Sequence, residues 1–448
     1  MSVEFITVAM FGLMFLLLVS GLPLAFGLGA IGLTFAMWLW GGEAGADIIV
    51  HSTYNIMRGM YILVAVPLFI FMGLILERSG IADDLYEAIY KWMGGLRGGL
   101  GMGTIVICAI IAAMVGVSGA ATITMGLIAL PSMMKRGYDK RMMTGAIQAG
   151  GSLGFLIPPS IIAIIYGMLA RVSIGKLFAA GVGPGFMLAA FYIIYIGIRC
   201  LLQPKMGPAI PPEDRASWRE KIVSVRALIL PGALIAMVLG FIIFGVTSPT
   251  EASAAGAAGA LICAAIHRRL TWSVFDQAVI RTARITAIIL WVVIGALAFS
   301  TVYDGLGASK MVEAFISGLP FGPYGILILM QLSFFILGTM LDDTAILFIT
   351  LPVYVPLIRF LGFDPVWFGI LYIVNMQMAF ITPPFGYTLF YMLGIVKDLY
   401  RTGTISEEIT IGDVYRSVWP FVAIQAFGLA MVIIFPKIAM WLPSLFFD

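Results

Sequence analysis

The 448-residue sequence predicts an all-α, polytopic membrane protein whose two halves repeat one another in inverted orientation. Three observations carry that expectation. The chain is 61% hydrophobic and 11% charged, with a mean hydropathy of +1.05, whereas a soluble domain carries about 25% charged residues. Its apolar runs approach the ~20 residues of a bilayer-crossing helix and lack the period-two alternation of a membrane barrel. Finally, GVSGAATITMGLIALPSMMKRGYDKRMMTGAIQAGGSLGFLIPPS at 116–160 has a counterpart in LGTMLDDTAILFITLPVYVPLIRFLGFDPVWFGILYIVNMQMAFITPPF at 337–385. Leu130-Pro131 matches Leu351-Pro352 at an offset of 221, and Gly137-Tyr138-Asp139 matches Gly362-Phe363-Asp364 at 225. Pro158-Pro159 matches Pro383-Pro384 at the same 225. Paired interrupted apolar segments in two halves of a membrane protein point to a transporter's binding site.

The expected spans, in order, are 4–20, 22–40, 59–78, 142–170, 178–201, 227–246, 250–267, 284–303, 366–396 and 416–435. The first begins without basic residues or a clear cleavage site and is expected to be retained. The pieces 102–117 and 122–135, joined by Ser118 to Ala121, are too short to cross alone, as are 323–338 and 343–358 around Thr339 to Asp343. Both pairs read as re-entrant helical hairpins with tips at mid-membrane, where non-helical backbone survives only inside protein or against a polar cavity. An ordinary span with a glycine kink is the alternative. The spans 142–170 and 366–396 are too long for one crossing, and each is broken at its tandem prolines. Proline removes a backbone donor and clashes with the preceding turn, which frees carbonyls. Segments 46–58, 83–95, 205–222, 271–281 and 306–318 mix charge with apolar residues and read as interfacial helices. The polar connector 203–226 links the halves.

Basic residues set the orientation. Arg97, Lys135, Arg136, Lys140 and Arg141 flank the first hairpin, whereas only Lys310 and Arg359 flank the second. The positive-inside rule opens the first hairpin from the cytoplasm and the second from the opposite face, with both termini outside. The three cysteines, Cys108, Cys200 and Cys263, sit in or beside apolar runs and suggest no disulfide framework. No loop is basic enough for nucleic acid. The glycines at 94–101 lack a Walker lysine, so energy is expected from an ion gradient or another subunit.

Ser118, Gly119 and Thr122 supply hydroxyls and a pliant backbone at the first tip; Thr339, Asp342, Asp343 and Thr344 supply hydroxyls and carboxylates at the second. The breaks at Ser152 to Ser160 and at Gln377 to Phe385 face them with free carbonyls. Oxygen ligands of this kind hold hard cations, and nearby helix N-termini suit an anion. Ionisable residues at membrane depth are costly, which makes Asp342-Asp343 the sharpest hint. Adjacent carboxylates repel, so proton coupling stands beside sodium as an alternative. Glu251, after Ser248-Pro249-Thr250, reads as a helix N-terminal cap. Gln148, Tyr166, Gln331, Asn375, Gln377 and Tyr387 are polar residues in apolar runs, able to orient substrate or to bond between helices.

The ordered set GVSGAA, GGSLGFLIPPS, TSPTEASAAGA, LDDTA and ITPPFG resembles the large membrane subunit of TRAP transporters, the tripartite ATP-independent periplasmic DctM family, over nearly the whole chain. Ser248 before Pro249 is a mild departure from the family's TPTEA. The resemblance implies an elevator: two hairpins and two broken helices slide against a scaffold, carrying sodium and an organic acid anion such as a dicarboxylate or sialic acid across the inner membrane. It implies sodium ligands near Ser118, Gly119, Thr122 and Pro158, and near Thr339, Asp342, Asp343, Thr382 and Pro383. Substrate contacts would fall among Gln148, Ser152, Ser160, Asn375, Gln377 and Tyr387. It divides the chain into scaffold helices (1–95), a first transport repeat (96–175), scaffold and linker (176–310), a second transport repeat (311–400) and a C-terminal scaffold helix (401–448). A small four-helix membrane subunit and a secreted periplasmic substrate-binding protein are expected as separate chains, with no cofactor beyond sodium. A stand-alone sodium/anion symporter is the runner-up. An enzyme is not expected, because the first repeat has Ala121 and Thr122 where the second has Asp342 and Asp343.

Overall fold

Apolar runs bounded by glycine, proline and polar turns become helices here, because a lipid environment leaves the backbone only its own segment to bond with. The structure, a computed structural model, describes residues 2–447 apart from Val117, Gly318, Leu319 and Phe385. No strand occurs among the described residues. The chain opens with α1 (Val3–Val19), α2 (Leu24–Trp40), α3 (Glu43–Gly59), α4 (Ala65–Arg78) and α5 (Ile81–Met93). A hairpin of α6 (Gly99–Val115) and α7 (Ser118–Met134) follows, then the interrupted pair α8 (Lys140–Ser152) and α9 (Ile161–Ala170), then α10 (Ile174–Leu202). The middle holds α11 (Trp218–Ser224), α12 (Arg226–Ile243), α13 (Pro249–Ile266), α14 (Trp272–Gly305) and α15 (Ala308–Ser317). The pattern then recurs as the hairpin α16 (Pro323–Gly338) and α17 (Asp343–Phe360), the interrupted pair α18 (Pro365–Phe380) and α19 (Tyr387–Arg401), and α20 (Ile411–Ile434), with α21 (Lys437–Phe446) last.

Seven described helices are long and apolar enough to cross a membrane, while both arms of the first hairpin and the first arm of the second are shorter. The repeated GYD/GFD motif is a helix-to-helix turn. Gly137 and Gly362 take φ of +73° and +78°, a left-handed region open to glycine. Asp139 then caps α8 by accepting from Arg141 N and Met142 N at 3.0 Å, and Asp364 caps α18 by accepting from Val366 N and Trp367 N at 2.6 and 3.2 Å. Glu251 has the capping role expected of it: its carboxylate accepts from Ser248 N at 2.8 Å while Ser248 Oγ accepts from Glu251 N at 3.3 Å.

Three expected elements differ. The arm 343–358, expected to be too short to cross alone, extends to Phe360 as the 18-residue α17 and is one of the seven. Segments 271–281 and 284–303 form one 34-residue helix, α14, because no glycine or proline separates the amphipathic start from the apolar run. The segment 205–222 is not one helix: Pro204, Pro211 and Pro212 confine it to short 3₁₀ turns until α11 begins at Trp218.

Packing sorts the helices into two groups. The first comprises α2 and α3 with α14, and α4 with α13 and α14; α12 packs on α13. Small residues set the α2–α14 distance, since a Cβ on Gly32 would lie 2.6 Å from the Ala298 backbone. The second comprises the hairpins, the interrupted pairs, α10 and α20. Its contacts are reciprocal: α7 of the first half packs on α19 of the second, and α17 of the second packs on α9 of the first.

Candidate functional site

The first tip is built by Gly116. It ends α6 with φ +68°, its N–H bonding Ala112 O, and its carbonyl accepts from Ile161 N at 3.5 Å. A Cβ there would come within 2.3 Å of Pro159 O, so the tip and the first break touch. This puts the end of the first arm at Gly116, upstream of the Ser118-to-Ala121 link read from sequence. Ser118 and Gly119 begin α7 instead, because the left-handed glycine ends one helix and lets the next start at once. Gly119 faces α19: a Cβ would lie 2.8 Å from the Tyr391 ring. Thr122 is buried against α8, where a Cβ on Gly151 would come to 2.0 Å of its hydroxyl.

The first break runs over 153–160. A 3₁₀ turn at Leu153–Phe155 leads into Pro158-Pro159, whose peptide bond is cis, as is that of Pro383-Pro384. Ser160 restarts the helix: its hydroxyl donates to Phe155 O at 2.6 Å and accepts from Ala163 N at 3.3 Å. In the second break Thr382 is buried and donates to Met378 O at 2.7 Å, while Thr388 reaches back to Phe380 O at 3.0 Å.

At the second tip Asp342 caps α17, accepting from Thr344 N at 3.2 Å, and Asp343 accepts from the same N–H at 2.8 Å. The Asp343 carbonyl accepts from Tyr372 OH at 2.6 Å, which ties the tip to α18. Tyr387 and Tyr391 lie in the opening turns of α19, after the second break. Tyr391 stands against Gly119 of the first tip. Sequence reading missed it, although its phenol falls in the same apolar run as Tyr387.

The expected substrate residues separate into two groups. Gln148, Ser152 and Gln377 are wholly buried, in two separate sets of hydrogen bonds. Gln377 Nε2 donates to Ser152 Oγ at 3.3 Å and to Tyr192 OH at 3.4 Å, and Gln425 Nε2 donates to Ser152 Oγ at 3.2 Å. Gln148 Nε2 donates to Ser417 Oγ at 3.3 Å. Asn375, also buried, donates to Gln331 O at 2.6 Å on α16. Tyr387 is more open and stacks on Phe380 at 5.0 Å. Ser152 and Gln377 lie 225 residues apart, the offset of the proline pairs. Phe155 and Phe380 share that offset, and their rings meet edge-to-face at 4.7 Å.

Two hairpin tips and two helix breaks gathered in one helical membrane body, rich in carbonyl, hydroxyl and carboxylate oxygens, define a secondary transporter. The family described as the tripartite ATP-independent periplasmic transporter, DctM component, matches residues 11–438, and the chain belongs to it. It is thus a multi-pass transporter permease rather than an enzyme. The C4-dicarboxylate TRAP transporter large permease protein DctM of Vibrio cholerae is 28% identical over 471 residues, covering 99% of this chain and 98% of its own. The ectoine TRAP transporter large permease protein TeaC of Halomonas elongata is 30% identical, covering 98% and 100%. The sialic acid TRAP transporter large permease protein SiaM of Vibrio cholerae is 28% identical, covering 96% of each. Among solved structures, the Alcanivorax borkumensis YdaH transporter shares the fold with a TM-score of 0.62 at 15% identity, covering 89% of both chains.

Proposed function

We propose that this chain is the membrane-crossing path of a sodium-coupled importer for an organic anion in the inner membrane. The observation that carries the reading is the packing of each tip on the interrupted helices, Gly116 on Pro159, Gly119 on Tyr391 and Asp343 on Tyr372, with the two breaks meeting at Phe155–Phe380. One sodium is held near Ser118, Gly119, Thr122 and the carbonyls around Pro158; a second near Thr339, Asp342, Asp343, Thr382 and Pro383. The substrate lies between the tips, within reach of Ser160, Tyr387 and Tyr391. Gln148, Ser152, Asn375 and Gln377 act from behind it, through separate hydrogen bonds that fix the interrupted helices. Relatives are named for C4-dicarboxylate, ectoine, isethionate and sialic acid, ligands that share a carboxylate or sulfonate. A periplasmic substrate-binding protein delivers the anion, and a small four-helix membrane subunit braces the scaffold.

Residues that meet their own repeat equivalents lie on a two-fold axis. The Ser152–Gln377 and Phe155–Phe380 contacts therefore support a two-fold repeat, and the basic residues flanking the first hairpin favour the inverted form, with that hairpin opening inward, the second outward and both termini periplasmic. In the proposed elevator, α6 to α9 and α16 to α19 move against the group around α14. We place α10 and α20 with the moving body, where the sequence reading had put them in the scaffold. Tyr192 and Gln425 bond directly to the broken helices, and Trp367 Nε1 donates to Val432 O at 3.0 Å.

Uptake of candidate carboxylates into liposomes holding this chain and its small subunit tests the reading. Dependence on both a sodium gradient and the cognate binding protein is expected. Uptake that needs sodium alone would make the chain a stand-alone symporter, and uptake indifferent to sodium would remove the coupling.

A further inference from the structure

A groove between α10 and α20 lies apart from the site above. Its middle is apolar: Phe191, Ile194 and Tyr195 of α10 face Ala423, Ile424 and Phe427 of α20 across a cavity of about 340 Å³. Ile194 and Phe427 are each more than half exposed, so this cleft opens outward from the protein. Tyr195 also lines an adjoining cavity of about 230 Å³ nearer the polar ends of both helices. Three arginines from three helices ring that second cavity: Arg141 in the first turn of α8, Arg199 in the last turn of α10 and Arg416 near the start of α20.

The nearby carboxylates are otherwise engaged. Asp139 caps α8, and Asp413 accepts from Thr410 N and Oγ1 and pairs with Arg141 at 3.4 Å. Arg199 and Arg416 make no ion pair among the described residues. Two guanidinium groups in no ion pair, which with Arg141 outnumber the Asp139 carboxylate lining the same cavity, at the mouth of an apolar cleft, match a ligand with an anionic head and a hydrocarbon tail. We propose that this groove binds an anionic phospholipid. Arg199 and Arg416 fork its phosphate, Arg141 stands at the rim, and an acyl chain lies along Phe191, Ile194 and Phe427. Guanidinium suits phosphate because its paired N–H donors match two phosphate oxygens. Basic pockets between membrane helices hold such headgroups, and surrounding lipid is a standing supply. A soluble anion would leave the apolar cleft unused. The orientation proposed above decides only which leaflet supplies the lipid.

The test is native mass spectrometry of the full chain with its small subunit, exchanged from phosphatidylethanolamine into mixed phosphatidylethanolamine and phosphatidylglycerol. Wild type should retain phosphatidylglycerol roughly ten-fold better than Arg199→Gln/Arg416→Gln. Arg268→Gln/Arg269→Gln, basic residues outside the groove, should retain it like wild type. Ala423→Trp, which fills the cleft and keeps the arginines, should also lose retention, so the proposal stays testable if the double variant fails to fold. Equal retention in all variants would overturn it. So would thermal protection by inorganic phosphate equal to that by the lipid, or cross-linking of a cysteine at Ala423 to the small subunit.

Discussion

Gly116 shows how much one absent side chain decides. Its left-handed φ ends α6, and its bare Cα lets the tip reach Pro159. Gly116→Ala should cost about 1–2 kcal/mol for the backbone conformation alone, with more for the contact at 2.3 Å. Thermal unfolding of the purified variant checks the loss, and an unchanged melting temperature would contradict the tip geometry. Asp343 presents a different demand. Its carboxylate is held by Thr344 N and its carbonyl by Tyr372, so the side chain is positioned without an arginine or lysine beside it in the ion pairs among the described residues. As a proposed sodium ligand, Asp343→Asn should raise the sodium concentration needed for half-maximal uptake by roughly ten-fold or more, a charge-assisted contact being worth about 1.5–3 kcal/mol. Sodium activation unchanged from wild type would remove that ligand. The GVSG and LDDT strings made both tips visible in the sequence. Tyr391 did not stand out, because its meaning comes only from Gly119 of the distant first tip arriving against it.

Elements begin and end where local chemistry dictates, and most of those signals are readable in order along the chain. Asp139, Ser248, Asp364 and Thr410 are short polar residues whose oxygens accept the otherwise orphaned N–H groups of a first turn. Ser248→Ala should destabilise by about 1 kcal/mol and leave the sodium dependence of uptake unchanged, since the Ser248–Glu251 pair only closes α13. A shifted sodium response there would mean that the cap lies in the transport path. Reading failed where an element depended on an absence of signals. The junction before α14's apolar run carries no breaker, so an expected surface helix and an expected span are one rod. The segment before α11 fails for the opposite reason, because closely spaced prolines deny it continuous helical bonding.

Across the whole molecule the two halves are joined by contacts that cross between them: α7 on α19, α17 on α9, and paired equivalents in Ser152–Gln377 and Phe155–Phe380. If the repeat is inverted, a cysteine at exposed Lys135 should react with an impermeant thiol reagent from the cytoplasm, and one at exposed Arg359 from outside. Reaction of both from one face would overturn the topology. Class, repeat, breaks and tips were legible because each is a local or periodic property: apolar length, glycine and proline placement, and a motif spaced 221 to 225 residues apart. The polar residues of the apolar runs were visible too, but not their roles. Gln148, Ser152 and Gln377 could equally have faced a substrate or one another, and only packing decides that Ser152 and Gln377 bond each other beside Tyr192 and Gln425 while Gln148 bonds Ser417. The same holds for the arginines between α10 and α20, which the sequence scatters over 141–416 and the fold brings to one cavity. A chain records which groups will seek partners; which partners they find depends on contacts between segments hundreds of residues apart, and those exist only once the helices are packed.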